Sequence, residues 1–328
     1  MNVLNADSDG KLTVISLFAG CGGSSLGYQM AGFKELLAVE WDNNAVATFK
    51  LNFPDVPVYH GDICKLSGKE CMKLAGIKPY ELDILDGSPP CQGFSTAGKR
   101  RFNDPRNSLF MEFARLLKDL QPKVFVMENV TGIVKGCMKQ TYLQIMAILR
   151  DCGYKAKGEI LNAMYFNVPQ SRERVFIIGV REDSKIEPSH PRPEGRPITV
   201  REAWVNCPSG DIPKLSHGIQ KIIARIPVYG DGGDVTGKTY FGTKRLSWDR
   251  PSRSIIKEMI GTRTALIHPD EDRSVTLPEA KRLSSFPDSF LFPNFQVGVI
   301  QIGNSVPPNL MKVIAGHIKD NILVKIDG

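Results

Sequence analysis

The sequence predicts an α/β protein: a doubly wound, mainly parallel sheet with a second, smaller and irregular domain. Three observations point there. Short apolar runs alternate with segments of helical period over residues 13–180. A glycine-rich turn directly follows the first run. Beyond residue 184 the texture shifts to Pro, Gly, Lys and Arg with weak periodicity. Strands separated by helices need crossover connections, and crossovers favour parallel pairing.

Strands are expected at 13–18, 35–39, 56–60, 82–85, 124–127 and 175–180, each a short β-branched or aliphatic run. Leu109, Phe110, Phe113, Leu116, Leu117 and Leu120 recur at helical spacing, and 142–149 is a similar stretch. Residues 184–197, rich in proline, read as a stiff linker and domain boundary. Thr276-Leu-Pro-Glu279 then opens a helix with an N-cap, an early proline and a capping glutamate.

Composition narrows the function. The 328 residues suggest about two domains. An apolar fraction of 42% with 23% charged residues is ordinary for a soluble globular protein, and the net charge of +7 suits a polyanionic partner. The first eleven residues are polar and acidic, unlike a secretory signal. No apolar run approaches the roughly 20 residues of a membrane span. Seven cysteines without a Cys-x-x-Cys pair argue against a disulfide framework or a metal site. The expectation is a cytoplasmic protein with reduced thiols.

Residues 86–95 read Asp-Gly-Ser-Pro-Pro-Cys-Gln-Gly-Phe-Ser. They place Cys91 just past a strand, where open α/β sheets bind ligands. A thiolate there is a strong nucleophile if its neighbours lower its pKa. A lone cysteine reads more simply as a structural one, so the rest of the chain must decide. Phe18-Ala-Gly20-Cys-Gly22-Gly23 lets the backbone turn sharply beside a ligand at a helix N-terminus. Its spacing differs from the dinucleotide pattern. Glu40, about 20 residues on, suits ribose hydroxyls. Trp41 offers a face for adenine, and Asp62 an acceptor for an exocyclic amine. Glu128-Asn-Val ends another strand, and Gln170-Ser-Arg172-Glu-Arg174 enters one with two arginines on one side.

In this order the motifs closely resemble the DNA (cytosine-5)-methyltransferase family in its bacterial and phage restriction-modification form. The later matches are Arg273 through Pro287 and Gln301-Ile-Gly303-Asn304-Ser305-Val306, so nearly the whole chain is covered. The resemblance implies a Rossmann-like sheet that binds S-adenosyl-L-methionine, formed by residues 1–183 with 300–328. It implies a target-recognition domain at 184–299. The C-terminal segment would pack back onto the first domain. Phe18, Gly20, Gly22, Gly23, Glu40, Trp41, Asp62, Ile63, Pro90, Leu109, Asn304 and Ser305 would line the cofactor pocket. Cys91 would be the nucleophile, Glu128 the acid on the N3 and N4 edge of cytosine, and Arg174 the contact to O2. Arg172 would hold nearby backbone.

The chemistry explains these residue types. Thiolate addition at C6, with a proton at N3, makes C5 enamine-like and able to take a methyl group. Loss of the C5 proton and of the sulfur then restores the ring. The base must leave the duplex first, at a cost of roughly a few kcal/mol. Duplex DNA is the implied partner, with a cognate restriction endonuclease acting on the same site. A monomer associated with the nucleoid is expected. Gln92, Ser95, Lys99, Arg100, Arg106, Arg245, Arg253 and Ser254 are the expected DNA contacts. Ser254-Ile255 departs mildly from the family's Thr-Leu or Thr-Ile, and Pro278 replaces a common arginine. A tRNA-directed relative with the same pocket is the nearest rival, although Gln-Gly-Phe-Ser after Cys91 resembles the DNA-directed pattern. A catalytically silent DNA-binding regulator is the alternative of another class.

Overall fold

The computed structural model describes residues 10–90, 108–135, 138–193, 195–237, 243–257 and 265–327. The first part of the chain runs β1 (Thr13–Leu17), α1 (Gly23–Met30), β2 (Lys34–Glu40), α2 (Asn43–Asn52), β3 (Val58–His60), α3 (Gly68–Ala75) and β4 (Ile84–Gly87). It continues α4 (Ser108–Leu120), β5 (Val124–Val130), α5 (Lys139–Asp151), β6 (Tyr154–Asn162), β7 (Gln170–Ser171) and β8 (Glu173–Arg181). Seven strands form one sheet in the order β3-β2-β1-β4-β5-β8-β6. Pairing is parallel from β3 to β5, and β8 runs antiparallel to both β5 and β6.

The apolar runs follow from burial on both faces. On β5, Phe125 and Met127 join the core beneath α3, α4 and α5, whereas Val124 and Val126 join the core beneath α1. A strand covered on both sides has no polar face to alternate with. Phe113 of α4 meets Phe125 edge-on at 6.0 Å between ring centroids. β1 stops at Leu17 because Phe18 turns into the left-handed region, at φ 57.

All six expected strands are present, but β6 was not foreseen. Its Lys155, Lys157 and Glu159 mask the pattern, because an edge strand carries charge where central strands carry aliphatics. The proline-rich stretch also differs from a free linker. His190 is buried and bonds the Phe176 carbonyl through Nε2 at 2.9 Å, while Ser189 Oγ meets His317 Nε2 at 2.8 Å. Proline stiffness specifies an extended backbone but says nothing of what it lies against.

The rest of the chain holds the short helices α6 (Val200–Ala203), α7 (His217–Gln220) and α8 (Gly232–Thr236). After them come β9 (Lys244–Arg245), β10 (Ser252–Arg253), β11 (Leu266–Ile267), α9 (Leu277–Leu283), α10 (Phe295–Asn304) and α11 (Pro308–Ile318). α9 begins with the expected capping box: Thr276 N–H donates to Glu279 Oε2 at 2.7 Å, and Glu279 N–H donates to Thr276 Oγ1 at 3.4 Å. A third core joins Cys21, Phe49 and Phe53 to Leu246, Ile255, Phe286, Phe290 and Ile302. α11 returns to the sheet, where Leu310, Met311 and Ile314 pack with Val14 and Tyr28. Gly27 permits that approach, since a Cβ there would lie 2.5 Å from the Met311 Cβ. Among the described residues, no helix is long and apolar enough to cross a membrane.

Candidate active site

Strand order places the functional segments along one edge. β1 and β4 are neighbours, and their connections depart to opposite sides, which opens a crevice at the carboxyl ends of the strands. Phe18 follows β1, Glu40 ends β2, Asp62 follows β3, Ser88 follows β4 and Glu128 lies near the end of β5.

On the cofactor side, Glu40 organises the glycine loop. Its Oε2 accepts Gly20 N–H at 2.8 Å, and its Oε1 accepts the N–H groups of Trp41 and Asp42 at 2.8 and 2.9 Å. Gly22 is required in the loop: its φ is 93, and a Cβ would fall 2.4 Å from the Phe53 ring. Gly23 lies against the Val306 carbonyl, while nothing occupies the space a Cβ on Gly20 would enter. Cys21 Sγ meets Ser305 Oγ at 3.0 Å and so joins the loop to the segment after α10. Trp41 is 77% exposed, leaving its indole free for a ligand. The Asp62 carboxylate accepts Cys64 N–H, which draws its pKa below the usual range. Ile63 is buried under that turn; Leu109 and Ser305 are half-buried; Pro90 and Asn304 are exposed.

On the reaction side, Arg174 Nε pairs with Glu128 Oε1 at 3.0 Å across β5 and β8. Burial pushes the Glu128 carboxyl up, against the pull of Arg174, Arg172 and the Ser88 hydroxyl. Asn129 Nδ2 donates to the Pro89 carbonyl at 3.0 Å and thereby fixes the approach to Cys91. Cys91, Gln92, Ser95, Lys99, Arg100 and Arg106 lie outside the described residues. Arg172 is buried and donates to the Ile255 and Gly303 carbonyls at 3.0 and 2.9 Å, binding three distant segments together. Gln170 works beside it: its Nε2 donates to Ser284 Oγ at 2.8 Å, and its Oε1 accepts Ile255 N–H at 3.0 Å. Neither Asn129 nor Gln170 stood out in the sequence as a positioning residue, although both lie inside the motifs.

One expected DNA contact is corrected. Arg245 is 5% exposed, and all five of its donors are taken. They go to the carbonyls of Ile226, His268, Glu271 and Ile223 and to Asp272 Oδ1. Its charge organises the loops around β9 and presents nothing to a duplex. A cluster of basic residues in sequence does not separate an inward guanidinium from an outward one. Arg253 and Ser254 are half-buried beside β7. No cluster of three or more potential metal ligands occurs among the described residues.

Behind the crevice lies a buried acidic pair. Asp86 Oδ1 accepts from Tyr28 Oη at 3.2 Å, and burial pushes Asp86 up to about 8. Burial likewise pushes Glu35 up to about 7. Groups raised so far are neutral in the folded protein below those values. Their favourable contribution is complete below the ordinary carboxylate pKa of about 4 and is lost as pH rises through 7 and 8. Asp86→Asn is therefore expected to gain stability relative to the parent between pH 5 and pH 9, by roughly 2 kcal/mol or more. Thermal melts of both proteins across that range check it, and a difference independent of pH would contradict the assignment.

Residues 12–253 and 216–320 match the C-5 cytosine-specific DNA methylase family. The Type II methyltransferase M1.HphI of Haemophilus parahaemolyticus is 36% identical over 93% of this chain and 86% of its own length. M.Eco47II of Escherichia coli is 33% identical over 96% of this chain and 81% of its own. A candidate prophage-encoded DNA modification methyltransferase of Escherichia coli superimposes with TM-score 0.78 at 26% identity, covering 94% of this chain and 99% of that one. The Dnmt2 methyltransferase of S. pombe shares the fold at TM-score 0.68 and 19% identity, covering 94% of this chain and 97% of that one. The fold is that of a doubly wound methyltransferase. The chain belongs to the C-5 cytosine-specific DNA methylase family, and its reaction is methylation of DNA cytosine at C5.

Proposed function

We propose that this enzyme modifies one short duplex sequence as the methyltransferase of a restriction-modification pair, with S-adenosyl-L-methionine as donor. A cognate endonuclease would cut the same sequence, and the protein would act as a monomer at the nucleoid in the cytoplasm. The observation that carries the reading is the Glu128–Arg174 pair, set on the same sheet edge as the glycine loop and the approach to Cys91.

The donor fits the residues present. Among the described residues, space lies open at Gly20, the Trp41 indole is exposed, and Glu40 Oε2 accepts one backbone hydrogen bond, leaving capacity for a hydroxyl. No pyrophosphate site is needed. When bound, S-adenosylmethionine supplies an electrophilic methyl group. The chain's own residues do the rest. Cys91, as thiolate, adds to C6 of an extruded cytosine. Glu128, raised by burial, holds a proton at N3. Arg174, fixed by Glu128, addresses O2. Arg172 and Gln170 keep the 252–255 segment and Gly303 in register with that centre.

The test is expression in cells free of cytosine methylation, followed by bisulfite sequencing of their DNA and methyl-transfer assays on duplex DNA and tRNA side by side. Protection at one recurring short sequence is expected. Methyl incorporation into tRNA alone would overturn the proposal.

A further inference from the structure

Two guanidinium groups meet on one tyrosine ring in the recognition segment. Arg253 Cζ lies 4.1 Å, and Arg250 Cζ 4.5 Å, from the Tyr229 centroid. Arg253 Nη2 also donates to the Tyr229 carbonyl at 2.6 Å. Tyr229 is held at φ 63, a left-handed conformation that costs a non-glycine residue about 1–3 kcal/mol. Strain of that size persists only where neighbouring contacts impose it. Arg253 Nε is buried with no hydrogen-bond partner, and neither arginine is paired with a carboxylate among the described residues. Arg201, close by in sequence to neither, is neutralised by Asp249 at 3.0 Å. Two unbalanced cations held together gain when an anion arrives between or beside them.

The position gives the cluster its meaning. Arg253 lies in β10, paired with Ser171 of β7, one residue before Arg172. Two residues past Arg253, Ile255 is gripped by Arg172 and Gln170. The stacked arginines thus stand beside the segment that carries the Glu128–Arg174 pair. Arg250 is exposed, and among the described residues its guanidinium makes no hydrogen bond or ion pair, so its fork can take a phosphate bidentately. The π face of Tyr229 offsets part of the repulsion between the two cations and fixes them in place.

We propose that Tyr229, Arg250 and Arg253 form a phosphodiester clamp that holds the DNA backbone beside the extruded cytosine, with Arg250 as its principal contact. The clamp is a positioning device; it touches no reacting atom. This inference rests on the DNA reading of the same site.

Its test is equilibrium binding of the full chain to a short duplex of mixed sequence across a salt series, with steady-state methyl transfer to unmethylated genomic DNA. Arg250→Ala is expected to weaken binding about tenfold and to lower the slope of log K against log salt by about 0.9, one phosphate's share. KM for DNA should rise accordingly, with kcat falling far less. Arg250→Lys keeps the charge and should restore the slope, with affinity restored only in part. Tyr229→Leu should weaken binding through loss of the stack, whereas Tyr229→Phe should not. An unchanged slope in Arg250→Ala, or a loss confined to one DNA sequence, would overturn the clamp. Failure of the parent protein to bind DNA in a salt-dependent way would instead overturn the DNA reading itself.

Discussion

Cys91→Ser is expected to abolish methyl incorporation into duplex DNA, by at least about 10⁴-fold, while leaving DNA binding close to that of the parent. A serine hydroxyl is almost never ionised near neutral pH, so it cannot add to C6 as a thiolate does. Burial disfavours the thiolate at all five described cysteines, Cys21, Cys64, Cys71, Cys152 and Cys207. Burial pushes Cys21 up to about 11 and Cys71 up to about 12, which leaves both as inert thiols. Cys207 is raised to about 11 by the same cause. A second readout isolates the bond itself. Duplexes carrying 5-fluorocytosine should be trapped covalently by the parent in the presence of donor, because fluorine cannot leave as the C5 proton does. The serine variant should form no such adduct. Methyl incorporation at the parental rate by Cys91→Ser would refute the role given to this residue.

Lys123→Ala is expected to cost about 3–5 kcal/mol of folding stability, the largest effect we expect away from the site. Lys123 Nζ bridges Asp83 Oδ1 at 2.9 Å and Asp327 Oδ1 at 2.7 Å, at the sheet edge opposite the crevice. The side chains of Lys123 and Asp83 are 7% and 0% exposed, so this is an interior pair. Asp83 Oδ2 accepts Thr13 N–H at 2.8 Å, which ties β1 into the same cluster. Burial already pushes the Asp83 carboxyl up despite Lys123 and Thr13. Without the lysine it would be a buried charge with no counter-ion or would have to take up a proton. Urea denaturation measures the loss. Lys123→Met combined with Asp83→Leu should recover much of it, since the penalty lies in the orphaned charge. A single-variant loss under about 1 kcal/mol would show the pair to be no stronger than a surface contact.

Period and composition located β1, β2, β4, β5, β8 and α4, because strands inside the sheet are largely apolar, whereas the edge strand β3 showed only as a short β-branched run. The capping box at Thr276 was equally legible, since its partners lie three residues apart. β6 was hidden because an edge strand carries solvent-facing charge. Arg245 and Arg253 looked alike in sequence, yet one spends all its donors inside and the other, half-buried, stacks on Tyr229. The reaction was legible only in the ordered set of motifs, because no one of them taken singly separates a functional residue from a structural one.

What the sequence determined by itself was the order of most sheet strands, the chemistry and the family likeness. Each depends on residue type and short-range spacing. Tertiary structure alone decided that Asn129 braces the Pro89 carbonyl and that Arg172 joins Ile255 to Gly303. It alone brings Arg250 and Arg253 onto the ring of Tyr229. These contacts join residues tens of positions apart, and only packing of the whole chain fixes which donor meets which acceptor.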